Sequence, residues 1–239
     1  MAKETQKTDG GSPTEEPNDD ERATGTPRAE QAPTARDIDA SAPPTFGLVQ
    51  VWWGDGKGKT TAALGMGFRA AGHGYRVHLL QFMKGGTASV EDVRGEYNAI
   101  AAVPGISVEN RGQYGWHGLG NGSDDEEHTA SARAGLERAK TLLDASSDVD
   151  GPVALDGAPT AGVHMLVLDE VLYAVEQGLL DPEAVVDLVE RKPEDLELVL
   201  TGGHERPTYL DGHVDLQSHV QKERHPIDDG QPARKGTEY

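Results

Sequence analysis

Along this chain of 239 residues, large apolar side chains are nearly absent from residues 1–45, then come in short continuous runs separated by longer amphipathic stretches. FGLVQVWW (46–53), YRVHLLQF (75–82), GISVENR (105–111), HMLVLDE (164–170) and LELVLTGG (196–203) each predict a strand, and VDLQSHVQKERH (214–225) supplies a last one. Between them the pattern predicts helices in KTTAALGMGFRAAGHG (59–74), stopped by Gly72 and Gly74, and in VEDVRGEYNAIAAV (90–103). A third helix, SDDEEHTASARAGLERAKTLLDAS (123–146), opens with Ser123 as cap and acids in its first turn, and VLYAVEQGLL (171–180) and DPEAVVDLVERK (181–192) complete the set. Strands that are apolar throughout need cover on both faces, so strands alternating with helices predict an α/β fold with a mostly parallel sheet and helices on both sides.

Residues 1–45 are rich in Pro, Glu, Asp, Thr and Ala. Such a segment buries too little surface to offset its ordering entropy, so a disordered acidic tail is expected there and one domain over 46–239. Within that domain SDVDGPVALDGAPTAG (147–162) reads as a surface insertion.

The formal net charge is −19, from 41 acidic and 22 basic residues. Most of the surface therefore repels nucleic acid and anionic membranes, and neither is expected as a partner; a phosphate site has to be a local basic pocket. The composition resembles that of proteins from salt-loving organisms, in which excess carboxylates keep the surface hydrated. A generic acidic protein is the other reading. The absence of Cys excludes a disulfide framework and thiolate metal sites. No apolar run reaches the length of a membrane span, and the charged N-terminus is unlike a signal peptide, so a cytoplasmic location is expected.

The chemistry is concentrated in VWWGDGKGKTTAALG (51–65). Gly54, Gly56 and Gly58 let backbone N–H groups converge on an anion at a helix N-terminus, Lys59 adds a point charge, and the Thr60 hydroxyl suits a Mg²⁺ ligand. Yet Trp53 stands where the usual G-x-x-x-x-G-K-[ST] pattern wants its first glycine. The partner such a loop needs is an acid at the end of a neighbouring strand, and HMLVLDE ends in Asp169 and Glu170. These residues alone are compatible with a P-loop, RecA-like ATPase or phosphotransferase cleaving at the γ-phosphate, and with a nucleotide-dependent binding module.

Taken together, GDGKGKTTAALGMGFRAAGHGYRVHLLQFMKGG, VLDEVLYAVEQGLL, LELVLTGG and the ending HPIDDGQPARKGTEY resemble the ATP:corrinoid adenosyltransferases of cobalamin synthesis, over residues 46–239. The shortened loop is normal in that family. The resemblance implies a RecA-like P-loop fold, and a reaction in which the Co(I) of a corrinoid attacks C5′ of ATP and expels triphosphate. It implies that Gly54, Asp55, Gly56, Lys57, Gly58, Lys59, Thr60 and Thr61 bind ATP, that Lys59 neutralises charge, and that Thr60 and Glu170, with Asp169, hold Mg²⁺ or Mn²⁺. Arg69 and Lys84 stand at family-matching positions, where phosphate contact and a solvated surface role are equally open. GQYGWHG (112–118) matches the loop carrying a corrinoid-facing Trp, which makes Trp116 and Tyr114 the corrinoid-binding residues and gives His117 a surface or structural role. Asp55 stands where the family usually has Asn, and Gly203 where an Arg usually follows TG; Arg206 is a candidate to replace that cation. The implied partners are cob(I)alamin or a cobyrinic acid derivative, an electron-donating reductase or flavoprotein, and a second copy of the chain in a homodimer.

Overall fold

A computed structural model describes residues 34–83, 95–112 and 122–237, with side chains from 126 onward in the last stretch. Its strands are β1 (Val49–Trp53), β2 (Val77–Gln81), β3 (Ile106–Asn110), β4 (Met165–Asp169), β5 (Glu197–Thr201) and β6 (Leu216–His219). They form one sheet in the order β3-β2-β4-β5-β1-β6, and every pairing is parallel. All these elements lie in the compact unit Ile38–Tyr239.

The reason the central strands are mostly apolar is visible in the packing. Leu80, Leu166, Leu168, Leu198 and Leu200 point to one face, where they meet Leu136, Leu142 and Leu143 of α3 (Gly122–Ala145), Val171 and Leu172 of α4 (Val171–Glu176), and Val185 and Leu188 of α5 (Pro182–Glu190). Leu79, Met165, Val167 and Val199 point to the other, against Ala63, Ala70 and Ala71 of α1 (Lys59–Gly72) and Ile100 of α2 (Gly95–Ala102). The alternation of side chains along a strand thus serves two cores rather than one core and solvent. α1 reaches the sheet closely because its inner face is small: a Cβ on Gly67 would already touch Val77 and Ile106.

α1 ends where the sequence predicts: Gly72 is its last residue, and the chain turns away at Gly74, whose φ of 80° is the left-handed conformation that ends helices. The third helix begins at Gly122, so Ser123 falls within its first turn rather than at its cap. Of the helix expected over 90–103, Gly95–Ala102 is described.

Residues 147–162 run at the end of the sheet where the strands begin. The guanidinium of Arg76, itself buried, donates to the carbonyls of Gly105 and Gly157. His164 Nδ1 accepts from the Arg76 amide, so its proton sits on Nε2 and is donated to the Gly151 carbonyl at 3.0 Å. The segment is held far from the opposite edge, where the last residues of the strands gather.

Candidate active site

β1 continues through Trp53, which pairs in register with His219 of β6 and stacks on its ring at 3.8 Å and 8°. The position that breaks the usual glycine pattern therefore belongs to the sheet, and only Gly54 to Gly58 separate strand from helix. The loop is backed by the segment leaving β6: Gly56 N–H donates to the Val220 carbonyl at 2.8 Å, and a Cβ on Gly56 would lie 2.7 Å from the Gln221 carbonyl. Gly58, with φ of 113°, turns the chain into α1 through a conformation that L side chains rarely adopt. Lys59 Nζ folds back over the loop and donates to the carbonyls of Gly54 and Gly56 at 2.6 and 3.0 Å. On the other side, Gly54 N–H donates to the carbonyl of Gly203 in the turn after β5.

β5 lies between β1 and β4, and this order lets three chain segments meet at one carboxylate. Asp169, completely buried at the end of β4, accepts on Oδ1 from the hydroxyls of Thr60 at 2.9 Å and Thr201 at 2.6 Å, and on Oδ2 from Gln81 Nε2 at 3.0 Å. Glu170 follows with φ of 65°, the one non-glycine residue at positive φ among the described residues. Its N–H donates to Thr201 Oγ1 at 3.1 Å, and Gly202 leaves β5 so close that a Cβ there would lie 2.9 Å from Glu170 Cα. A left-handed glutamate costs about 1 kcal/mol or more, a strain that concentrates at functional sites.

The structure brings together Gly54, Gly56, Gly58, Lys59, Thr60, Asp169 and Glu170. Lys57 and Thr61 are exposed on the loop and in the first turn of α1. Asp55 is exposed, and its Oδ1 accepts the Lys222 amide at 2.9 Å, which holds its carboxyl below the usual carboxylate range. Its visible work is to tie the segment after β6 to the loop. Arg69 is not brought to the site: it is exposed in the last turn of α1, about 15 Å along the helix from Lys59 at 1.5 Å per residue. Arg206 is paired with Asp211 at 2.7 Å, and Gly203 adopts φ of 68° beside Glu176. Tyr114, Trp116, His117 and Lys84 lie outside the described residues. Sequence reasoning missed Thr201 and Gln81, whose only signal is a polar side chain closing an apolar strand.

Residues 45–239 match the family described as ATP:corrinoid adenosyltransferase BtuR/CobO/CobP. The chain is 30% identical over 205 residues to a corrinoid adenosyltransferase of Escherichia coli (strain K12), an alignment spanning 84% of this chain and 89% of that protein. It is likewise 30% identical over 205 residues to the corrinoid adenosyltransferase CobA of Salmonella typhimurium, with the same coverage. Among solved structures, the KaiC-like protein PH0186 from Pyrococcus horikoshii OT3 aligns with 80% of this chain and 84% of its own, at a TM-score of 0.41 and 14% identity.

Proposed function

This chain belongs to the ATP:corrinoid adenosyltransferase family, and we propose that it transfers the 5′-deoxyadenosyl group of ATP to the Co(I) centre of a corrinoid, in adenosylcobalamin synthesis or salvage. Cobalt supplies the electron pair, the Co–C5′ bond forms as the C5′–O bond breaks, and triphosphate leaves. The protein needs no nucleophile or base of its own for this step. Its tasks are to position C5′, to neutralise the leaving group and to keep water from the metal substrate.

One observation carries the reading. The short loop Gly54–Gly58 delivers Lys59 and Thr60 to the strand edge occupied by Asp169 and Glu170. Loop amides and Lys59 hold the triphosphate. The Thr60 hydroxyl, donating its hydrogen bond to Asp169, offers its oxygen lone pairs, and with the Glu170 carboxylate it makes a hard-oxygen donor set that fits Mg²⁺. Among the described residues no group of three or more His, Cys, Asp or Glu gathers, which suits an ion taking its remaining ligands from phosphate and water. When bound, Mg²⁺ offsets negative charge on the departing triphosphate. Asp169, whose two oxygens already accept hydrogen bonds from protein groups, acts through Thr60 rather than as a direct ligand.

The corrinoid side rests on Trp116 and Tyr114, aromatic residues suited to a broad apolar ring. A homodimer in the cytoplasm, supplied with Co(I) by a reductase or flavoprotein and adapted to high salt, completes the proposal. Among the described residues no helix is long and apolar enough to cross a membrane.

The test is an anaerobic incubation with ATP, Mg²⁺ and chemically reduced cobalamin or cobinamide in high-salt buffer. Loss of the Co(I) absorbance, a light-sensitive product and released triphosphate are expected. ADP release with Co(I) untouched would instead assign an ordinary triphosphatase.

A further inference from the structure

Gln81 ends a strand whose other residues are as buried as it is, and it is completely buried itself. A buried amide is costly unless both its ends are satisfied. Its surroundings satisfy them in one direction only. Gln81 turns its NH₂ towards Asp169 Oδ2, which accepts at 3.0 Å. That orientation points Gln81 Oε1 the other way, where Tyr97 of α2 donates its hydroxyl at 2.7 Å. The Tyr97 oxygen in turn accepts from Asn110 Nδ2, at the end of β3, at 3.0 Å, and Asn110 Oδ1 accepts the Gly112 amide at 2.8 Å. A polar chain with one hydrogen-bond direction thus crosses the ends of β3, β2 and β4 and ends at the Asp169 carboxylate, onto which the Thr60 hydroxyl donates from the other side.

We propose that Gln81 and Tyr97 are positioning residues for the metal–triphosphate site: Tyr97 fixes the Gln81 amide, Gln81 fixes the Asp169 carboxylate plane, and Asp169 fixes the direction in which Thr60 presents its oxygen. This rests on the reading of Thr60 as a ligand of the nucleotide-bound Mg²⁺. Neither residue touches substrate. Their loss leaves the loop amides and Lys59 in place but lets the carboxylate rotate, so the effect falls on the metal and not on the bare nucleotide.

The experiment compares wild type with Tyr97→Phe, Gln81→Met and Thr60→Ala by isothermal titration of ATP with and without Mg²⁺, alongside anaerobic kcat and KM. For Tyr97→Phe and Gln81→Met, ATP affinity without Mg²⁺ stays at the wild-type value. The tightening that Mg²⁺ brings shrinks about tenfold, the usual scale for partners that orient a metal ligand. Where Gln81→Met folds poorly, Tyr97→Phe, which removes one oxygen and keeps the ring, carries the test. Wild-type Mg²⁺ tightening in both variants, with Thr60→Ala having lost it, overturns the relay alone. Equal loss of ATP affinity with and without Mg²⁺ also overturns it, by showing general damage to the loop. Thr60→Ala retaining full Mg²⁺ tightening overturns the metal-site reading beneath it.

Discussion

The hydroxyls of Thr60 and Thr201, from the helix after β1 and the end of β5, converge on a single oxygen, Oδ1 of Asp169. Thr201 also accepts the Glu170 amide, so it braces both acids. Thr201→Val keeps the shape and removes the hydroxyl, leaving a buried carboxylate short of one donor and an amide short of an acceptor. The expected cost is about 1–3 kcal/mol of stability, read from urea denaturation. A fall of about tenfold or more in kcat should accompany it, because an orienting partner of the metal ligand is lost.

Lys59 sits over the loop with its ammonium on two backbone carbonyls, within the turn proposed to receive the triphosphate. Lys59→Ala removes that charge while changing little of the core. Adenosyl transfer at saturating ATP should fall by about 10²–10³, the scale for losing one preorganised charge-stabilising group. Triphosphate release and decay of Co(I) absorbance report it directly. Turnover near the wild-type rate would remove Lys59 from the site.

What the sequence reveals about this molecule depends on how local the information is. Strands such as MLVLD and ELVLT are legible because burial on both faces demands apolar residues through their middle. The glycine loop is legible because its conformational demands lie within five residues. Thr201 and Gln81 are not legible: their roles exist only because β5 lies between β1 and β4 and β2 flanks β4 on the other side. The tie from Asp55 to the Lys222 amide is hidden for the same reason, since that partner arrives from a distant segment. Arg69 lies close to the glycine loop in sequence, yet helical rise alone carries it about 15 Å from Lys59.

Glu170 holds a left-handed backbone that glycine adopts without penalty. Glu170→Gly and Glu170→Ala both remove the carboxylate, so both should lose Mg²⁺-dependent transfer. They should differ in stability: the glycine variant is expected to be about 1 kcal/mol more stable than the alanine variant, reversing the order found at ordinary helical positions. Urea denaturation of the pair checks this, and an alanine variant as stable as the glycine one would show that the backbone there is unstrained.

Acid should destabilise the fold in two stages set by β2 and β3. His78 is completely buried, and desolvation lowers its pKa from 6.5 to about 4 despite Glu109 at 3.8 Å. Its neutral ring favours the folded state fully above pH 6.5, and that contribution is lost as pH falls towards 4, because the unfolded chain takes up the proton first. Glu109, hydrogen-bonded to Arg138, has its pKa lowered from 4.5 to about 2, so its contribution is present above pH 4.5 and is lost as pH falls towards 2. His78→Leu should flatten the decline between pH 6.5 and 4 and leave the lower one. Arg138→Met, by removing the strongest partner of Glu109, should shrink the lower limb while Arg111 keeps part of it, and by removing a cation that opposes protonation of His78 should also shorten the upper. Urea midpoints measured from pH 7.5 downward separate the two, and an unchanged upper limb in His78→Leu would place the titrating group elsewhere.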